Sequence, residues 1–263
     1  MKLIILAAGR GTRLAPITEK IPKCMAKLKE KPLILWNIEA AQKVGIKDII
    51  VIRGYKGEEL EFLKEYGVKL IDNPMYETTN MVATLFMARK YFGSEFIVSY
   101  GDIVYEEEIL KKIIESKNDI SVVVDHGWEQ YWKMRNEDIF SDAESLVLDG
   151  DRIINIGQKV NEIKYIQGQY IGLLKFKDSG VKALKDIYDK EKKAFSKNEN
   201  YICKYRKLNG IYMTDVIQGL IDKGYKVNEC PIFRKWLEID NINDLRLAEK
   251  LSEIYKDKIK ITE

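Results

Sequence analysis

The first residues able to do chemistry are Ala7-Ala8-Gly9-Arg10-Gly11-Thr12-Arg13-Leu14, which follow directly on the apolar run Leu3-Ile4-Ile5-Leu6. Ile21-Pro22-Lys23 comes a short way further on. A buried strand that empties into a glycine loop brings backbone N–H groups close to a polyphosphate. Arg13 and Lys23 add two cations at the same mouth. Two glycines alone also fit an ordinary strand-to-turn start. The whole string points to a nucleotide site walled by Leu6, Ala7, Ala8, Gly9, Gly11, Thr12, Arg13 and Lys23. A dinucleotide fingerprint is excluded, because Leu14 stands where its third glycine belongs, and no Gly-Lys-Ser/Thr ending makes a P-loop.

Two acidic positions could complete such a site. Asp102 follows the strand Phe96–Tyr100 across Gly101, where a carboxylate beside a phosphate loop suits Mg²⁺; it equally suits an N-cap for the helix starting near Glu106. In Trp236-Leu237-Glu238-Ile239-Asp240, strand alternation puts Glu238 and Asp240 on one side, either as further metal ligands or as the acidic side of an edge strand. In Thr78-Thr79-Asn80-Met81, Asn80 offers donors and acceptors to a pyrimidine edge, while Thr79 or Asn80 caps the helix that follows; the two roles combine with Thr79 capping and Asn80 reading. Tyr100 is placed against the nucleoside.

The chain's 263 residues fit one large domain, and 46% hydrophobic content supports a substantial core. The net charge of +3, from 44 basic and 41 acidic residues, argues against a nucleic-acid partner. Cys24, Cys203 and Cys230 have no zinc or disulfide spacing. No signal peptide or membrane-length apolar run is read, so the expected setting is soluble and cytoplasmic, without membrane contact and with room for a homo-oligomer.

The first half alternates apolar strands (Lys2–Leu6, Asp48–Arg53, Val68–Ile71, Glu95–Tyr100, Asp119–Val124) with helices at Pro32–Val44, Gly57–Tyr66, Thr79–Tyr91 and Glu106–Ser116. That pattern predicts an α/β fold: a Rossmann-like, mostly parallel mixed sheet covered by helices on both faces. Ligands of such sheets bind outside the carboxyl ends of the strands, where the glycine loop and Asp102 both fall. Beyond residue 125 a hairpin about Asp149-Gly150, a long strand at Tyr165–Phe176, helices at Ser179–Lys190 and Tyr212–Lys223, strands at Tyr225–Glu229 and Trp236–Ile239 and a last helix from about Asn243 add an antiparallel lid or insertion. One domain over 1–263 is expected, with a nucleotide-binding half at 1–125 and an acceptor-binding, metal-completing half at 126–263.

Leu6–Leu14 with Pro22-Lys23 resembles the signature of the nucleotidyltransferases that make activated sugars and alcohols: a strand, L-A-A-G-x-G-S/T-R-L, then P-K. Gly101-Asp102 and Trp236–Asp240 match that family's Gly-Asp pair and its W-x-D/E-I/V-D segment. The resemblance implies a nucleotide-diphospho-sugar transferase type of fold, a loop that wraps the triphosphate and a lysine, Lys23, that reaches the reacting phosphates. An acceptor phosphate is already an oxyanion, which suits a chain whose single histidine is His126. It attacks the α-phosphorus in line and pyrophosphate leaves. Arg13, Lys23, Asp102 and Asp240 are the expected catalytic residues, with Mg²⁺ on Asp102 and Asp240, Glu238 in support, and CTP as substrate.

Trp128, Glu129, Tyr131, Trp132 and Arg135, preceded by Asp125, read either as acceptor-binding aromatics for a cationic head group or as a lid helix using its rings as core. The cluster directs the resemblance toward small-molecule cytidylyltransferases, which activate phosphocholine, 2-aminoethylphosphonate or phosphorylated amino-acid amides such as phosphoglutamine. Sugar-1-phosphate nucleotidyltransferases and a catalytically silent nucleotide-binding domain are the alternatives. By the resemblance, Lys159 contacts the acceptor phosphate and Asp215, otherwise a helix N-cap, lines the acceptor side. Gln169 is a further acceptor-binding residue by the resemblance; it stands where relatives carry an acid, which removes a counter-ion for a cationic acceptor and leaves room for an amide-bearing or uncharged one.

Overall fold

The computed structural model describes residues 1–254. In chain order its elements are β1 (Lys2–Ala7), a short pair β2 (Lys27–Leu28) and β3 (Lys31–Pro32), α1 (Leu33–Lys43), β4 (Asp48–Arg53), β5 (Lys69–Asp72), α2 (Met81–Met87), β6 (Glu95–Tyr100), β7 (Ile103–Tyr105), α3 (Glu107–Glu115) and β8 (Ile120–Asp125). There follow α4 (Trp128–Arg135), β9 (Glu144–Asp149), β10 (Arg152–Lys159), β11 (Gln169–Lys177), α5 (Ser179–Phe195), α6 (Met213–Asp222), β12 (Asn228–Ile232), β13 (Trp236–Glu238) and α7 (Ile242–Ile254). Residues 255–263 of the expected second half lie outside the described residues.

One nine-stranded sheet, ordered β5-β4-β1-β6-β11-β8-β12-β10-β9, organises the chain. Only β10 and β11 run against the direction shared by its other strands. The central strands are apolar at nearly every position because both of their faces are covered. In β1, Leu3 and Ile5 enter one core while Ile4 enters the other; β4 divides Ile49 and Val51 from Ile50 and Ile52 in the same way. Each such side chain, taken wholly out of water, is worth about 1.5–3 kcal/mol before chain entropy is counted.

Several boundaries differ from expectation for local reasons. The Gly57–Tyr66 segment is 3-10 rather than α-helical, and the Thr79–Tyr91 helix begins at Met81 and ends in a 3-10 turn at Arg89–Tyr91. The Tyr225–Glu229 strand shifts to Asn228–Ile232 and carries Pro231. Since β12 meets β10 at the single pair Arg152↔Asn228, Pro231 interrupts no ladder to that neighbour. The antiparallel additions are the β9–β10 hairpin at the sheet edge and a separate β7–β13 ribbon.

Asp125, at the end of β8, anchors that ribbon. Its wholly buried carboxylate accepts from the backbone N–H groups of Gly127 and Arg234 and from Trp236 Nε1, each at 2.8 Å, and pairs with Arg234 Nη1 at 3.4 Å. It is therefore a structural hub rather than an acceptor ligand. Asp125→Ala leaves a buried guanidinium and three donors unpaired. It is expected to cost about 3–5 kcal/mol of stability, read as a lowered urea midpoint, and an unchanged midpoint would refute this role.

Candidate active site

β1 and β6 are parallel neighbours with Leu6 opposite Tyr100, so both end at the same edge of the sheet. Gly101 donates its N–H to Leu6 O at 3.0 Å, and a Cβ on it would stand 2.9 Å from that oxygen; the crossing requires glycine. Asp102 follows at once. The chain then turns into β7, which pairs antiparallel with β13 in the register Ile103↔Glu238. Ile239 N–H extends the ribbon by bonding Asp102 O at 3.0 Å, which draws Asp240 alongside Asp102.

Lys23 enters from the opposite wall, on a 3-10 turn at Lys23–Met25. Its stem lies across Gly11, whose φ is +72° and whose missing Cβ would fall 2.7 Å from Lys23 Cβ. Lys23 Nζ donates to Asp102 Oδ2 at 2.6 Å and also to Asp240 Oδ1. Arg13 Nη2 reaches Asp240 Oδ2 at 3.0 Å, and Arg135 Nη2 lies 3.8 Å from the same oxygen. Burial alone would lower the Lys23 pKa, but the Asp102 and Asp240 carboxylates outweigh it and hold the ammonium above its ordinary value. Burial likewise pushes Asp240 up, and Lys23, Arg13 and Arg135 together bring it below the usual carboxylate range. The remaining oxygen of Asp102, Oδ1, is buried and has no hydrogen-bond partner.

A cleft of about 170 Å³ opens at this edge. Of the expected nucleotide-binding residues, Leu6, Ala7, Ala8, Gly9, Lys23, Asn80, Tyr100 and Gly101 line it, together with Asp102. Gly11, Thr12 and Arg13 form the adjoining turn, whose shape is fixed by Thr18 Oγ1 donating to Gly11 O at 2.8 Å. Cys24, Tyr76 and Thr84 also line the cleft, although no sequence pattern marked them. Burial pushes the Cys24 thiol up to about 12, which leaves it no thiolate at neutral pH. The expected division of work between Thr79 and Asn80 is corrected. Asn80 is the cap, its Oδ1 accepting from Met81 N at 2.8 Å, whereas Thr79 Oγ1 donates to Met75 O. Asn80 also ties in the Asn209–Gly210 segment, donating its backbone N–H to Asn209 O at 2.7 Å and its side-chain Nδ2 to Gly210 O at 3.5 Å.

Glu238 does not join the Lys23 cluster. β13 ends at Glu238, its carboxylate is taken by Arg135 Nη1 at 2.6 Å, and burial pushes it above the usual carboxylate range. Among the described residues no group of three His, Cys, Asp or Glu side chains is placed to hold a metal ion. Asp102 and Asp240 are the two carboxylates that meet at Lys23 Nζ.

The aromatic segment is core. Trp128, Tyr131 and Trp132 are buried against one another and against Trp236. Their faces are already occupied by the protein's own cations: Arg135 stands 5.2 Å from the rings of Tyr131 and Trp132, and Arg234 stands 4.0 Å from Tyr131. The acceptor-binding expectation for these residues and for Arg135 is corrected on that ground. Gln169 is also turned inward, donating to Glu144 O at 2.6 Å and accepting from Glu144 N at 3.3 Å. Asp215 closes the first turn of α6 by accepting from Tyr212 N at 2.8 Å and pairs with Arg206 at 2.7 Å. Lys159 is exposed, opposite Glu144 in the β9–β10 register. Glu144, which sequence reasoning passed over, is half-buried near Asp142, Asp215, Arg206 and Lys159.

The chain belongs to the MobA-like NTP transferase domain family, which matches residues 3–160. It is similar to a CTP:phosphoglutamine cytidylyltransferase of Campylobacter jejuni, 36% identical over 94% of this chain and 98% of that relative. It is also similar to a choline-phosphate cytidylyltransferase of Streptococcus pneumoniae, 40% identical over 40% of this chain and 47% of that protein. Among solved structures, the CTP:phosphocholine cytidylyltransferase of Streptococcus pneumoniae shares the fold with a TM-score of 0.72 at 24% identity, covering 95% of this chain and 98% of that one. The inositol-1-phosphate CTP transferase of T. maritima does so at 0.70 and 21%, covering 98% and 97%.

Loss of the α2 cap by Asn80→Ala is expected to lower stability by about 1 kcal/mol. It should also raise protease sensitivity near Asn209–Gly210, seen as cleavage mapped by mass spectrometry. Unchanged stability and cleavage would show that the Asn80 bonds are dispensable.

Proposed function

We propose that this nucleotidyltransferase is a cytidylyltransferase, joining CTP to a phosphorylated or phosphonate small molecule and releasing pyrophosphate. The observation that carries the reading is the Lys23 ammonium gripped by Asp102 and Asp240 beside the Gly9–Arg13 turn. The acceptor class comes from the relatives named above, above all the one matched along nearly its whole length.

The chemistry follows from charge. An oxygen of the acceptor phosphate forms the bond to the α-phosphorus. The bond from that phosphorus to the β-bridging oxygen breaks, and pyrophosphate departs with the electron pair. No proton has to move. The single histidine is engaged with Glu229, its Nε2 2.7 Å from Oε2, and does not line the cleft. What the protein must supply is alignment and positive charge. Lys23 would bridge the α-phosphate and the attacking oxygen, and Arg13, with its side chain 66% exposed, would turn to the leaving pyrophosphate.

A divalent cation, Mg²⁺ by the hardness of the donors, fits this seat. Asp102 Oδ1 is a buried oxygen without a partner, Asp240 is held ionised, and two carboxylates plus phosphate oxygens are what Mg²⁺ commonly takes. When bound, the ion would neutralise charge on the phosphates; Asp102 and Asp240 would hold it.

Pyrophosphate release with CTP is expected for phosphocholine, 2-aminoethylphosphonate or a phosphorylated amino-acid amide, in preference to hexose 1-phosphates. Faster turnover of sugar phosphates would move the enzyme to the sugar-activating branch, and no turnover with any acceptor would leave a silent nucleotide-binding domain. Asp102→Asn and Lys23→Ala should each lower kcat by at least about a hundredfold, the scale of losing one transition-state charge contact. A near-normal rate in either variant removes that residue from the mechanism.

A further inference from the structure

The carboxylate of Asp240 is gripped from the cleft side by Lys23 and Arg13, and the grip from behind has no assigned purpose. Asp244 Oδ2 accepts the backbone N–H groups of Asp240 at 3.0 Å and Asn241 at 3.2 Å. Arg135 faces Asp244 with both arms of its fork, Nε to Oδ1 at 3.0 Å and Nη2 to Oδ2 at 3.3 Å. Its third nitrogen holds Glu238 Oε2 at 2.6 Å. One guanidinium thus fastens the residues two before and four after Asp240, the end of β13 and the first turn of α7. The Arg135 and Asp244 side chains are 3% and 1% exposed. We propose that Arg135 and Asp244 are positioning residues that aim the Asp240 carboxylate into the cleft.

Capping α7 does not by itself require this arrangement. Asn241 Oδ1 already accepts from Asn243 N at 2.8 Å and Asp244 N at 3.0 Å, and an exposed aspartate could serve the same backbone groups without a buried partner. Sealing a guanidinium and two carboxylates away from water is costly unless the geometry is exact in return. The rings of Tyr131 and Trp132 fix the Arg135 plane, and the Tyr131 hydroxyl accepts from Glu238 N at 2.9 Å, pinning the same segment. Of the three cations around Asp240, Lys23 and Arg13 stand at the cleft, where the proposed reaction calls them to the phosphates. Arg135, held by Asp244 and Glu238, stays behind Asp240 and keeps it oriented when they do.

This inference rests on the reading of Asp240 as a seat for a divalent cation, and the test separates the two. Mn²⁺ serves as the probe: free Mn²⁺ is followed by electron paramagnetic resonance in mixtures of enzyme and CTP without acceptor, so that nothing turns over. Asp244→Asn keeps the size and one acceptor oxygen but breaks the fork; Arg135→Lys keeps the charge but loses its planar bidentate reach. Each is expected to retain its circular dichroism while Mn²⁺ affinity falls about tenfold or more, the scale on which partners behind a metal ligand act. Turnover should fall with it and recover partly at high Mn²⁺, which a loss of folding alone would not produce. If either folded variant retains Mn²⁺ as tightly as the unmodified enzyme, the pair is a helix cap and the proposal fails. Asp240→Asn is run beside them. A loss of Mn²⁺ affinity there, with none in the other two, overturns only the positioning role. No loss in any of the three overturns the cation seat as well.

Discussion

The structure is arranged around one ammonium group that two carboxylates share. Lys23, Asp102 and Asp240 come from a 3-10 turn after β1, the turn after the central strand β6 and the segment after β13, yet their charged atoms meet within hydrogen-bond reach. Burying these charges is tolerable only while they remain paired. Each approach is therefore constrained: Gly11 and Gly101 give up side chains so that Lys23 and the Asp102 turn can come close, and the β7–β13 register sets where Asp240 arrives. A parallel sheet edge supplies the rest, because strands that end together leave their following turns side by side.

The aromatic segment shows why residue type alone does not decide between binding and support. Electron-rich rings attract a cation whether it belongs to a ligand or to the protein. Here Arg135 and Arg234 reach the rings first, and the pairs they form with Glu238, Asp244 and Asp125 lock them there. An arrangement that reads in sequence as a cage for a choline-like head group is thus a buried frame behind the catalytic edge. Gln169 shows the same inversion: its amide is spent on the backbone of Glu144 rather than turned to a ligand.

What was legible in the sequence is what local physics dictates. The strands Asp48–Arg53 and Glu95–Tyr100 fall where their apolar runs put them, since a strand buried on both faces announces itself. The glycine loop and the Gly-Asp turn were legible because close backbone approach demands particular residues. β7 was not: Ile103–Tyr105 is too short to show periodicity, and it is a strand only because β13 pairs with it. Asp125 and Gln169 were misread for a related reason. Apart from Gly127, two residues after Asp125, their partners Arg234, Trp236 and Glu144 are remote in sequence. The swap between Thr79 and Asn80 turned on a single position in where α2 begins.

The balance of charge around Asp240 also bears on what can enter the cleft. Lys23, Arg13 and Arg135 surround a carboxylate that must stay ionised, while Asp102 keeps one buried oxygen without a partner. A bare triphosphate entering here would draw Lys23 and Arg13 away and leave two carboxylates facing several phosphate charges, with Arg135 alone behind them. At a few ångströms and an effective dielectric of about 20, each such like-charge contact costs about 4 kcal/mol. A cation carried in with the nucleotide would offset that repulsion, and Asp102 and Asp240 are the residues that would hold it. Under the proposed reaction, the Lys23 ammonium that pairs the two acids here would turn to the reacting phosphates once that charge is supplied.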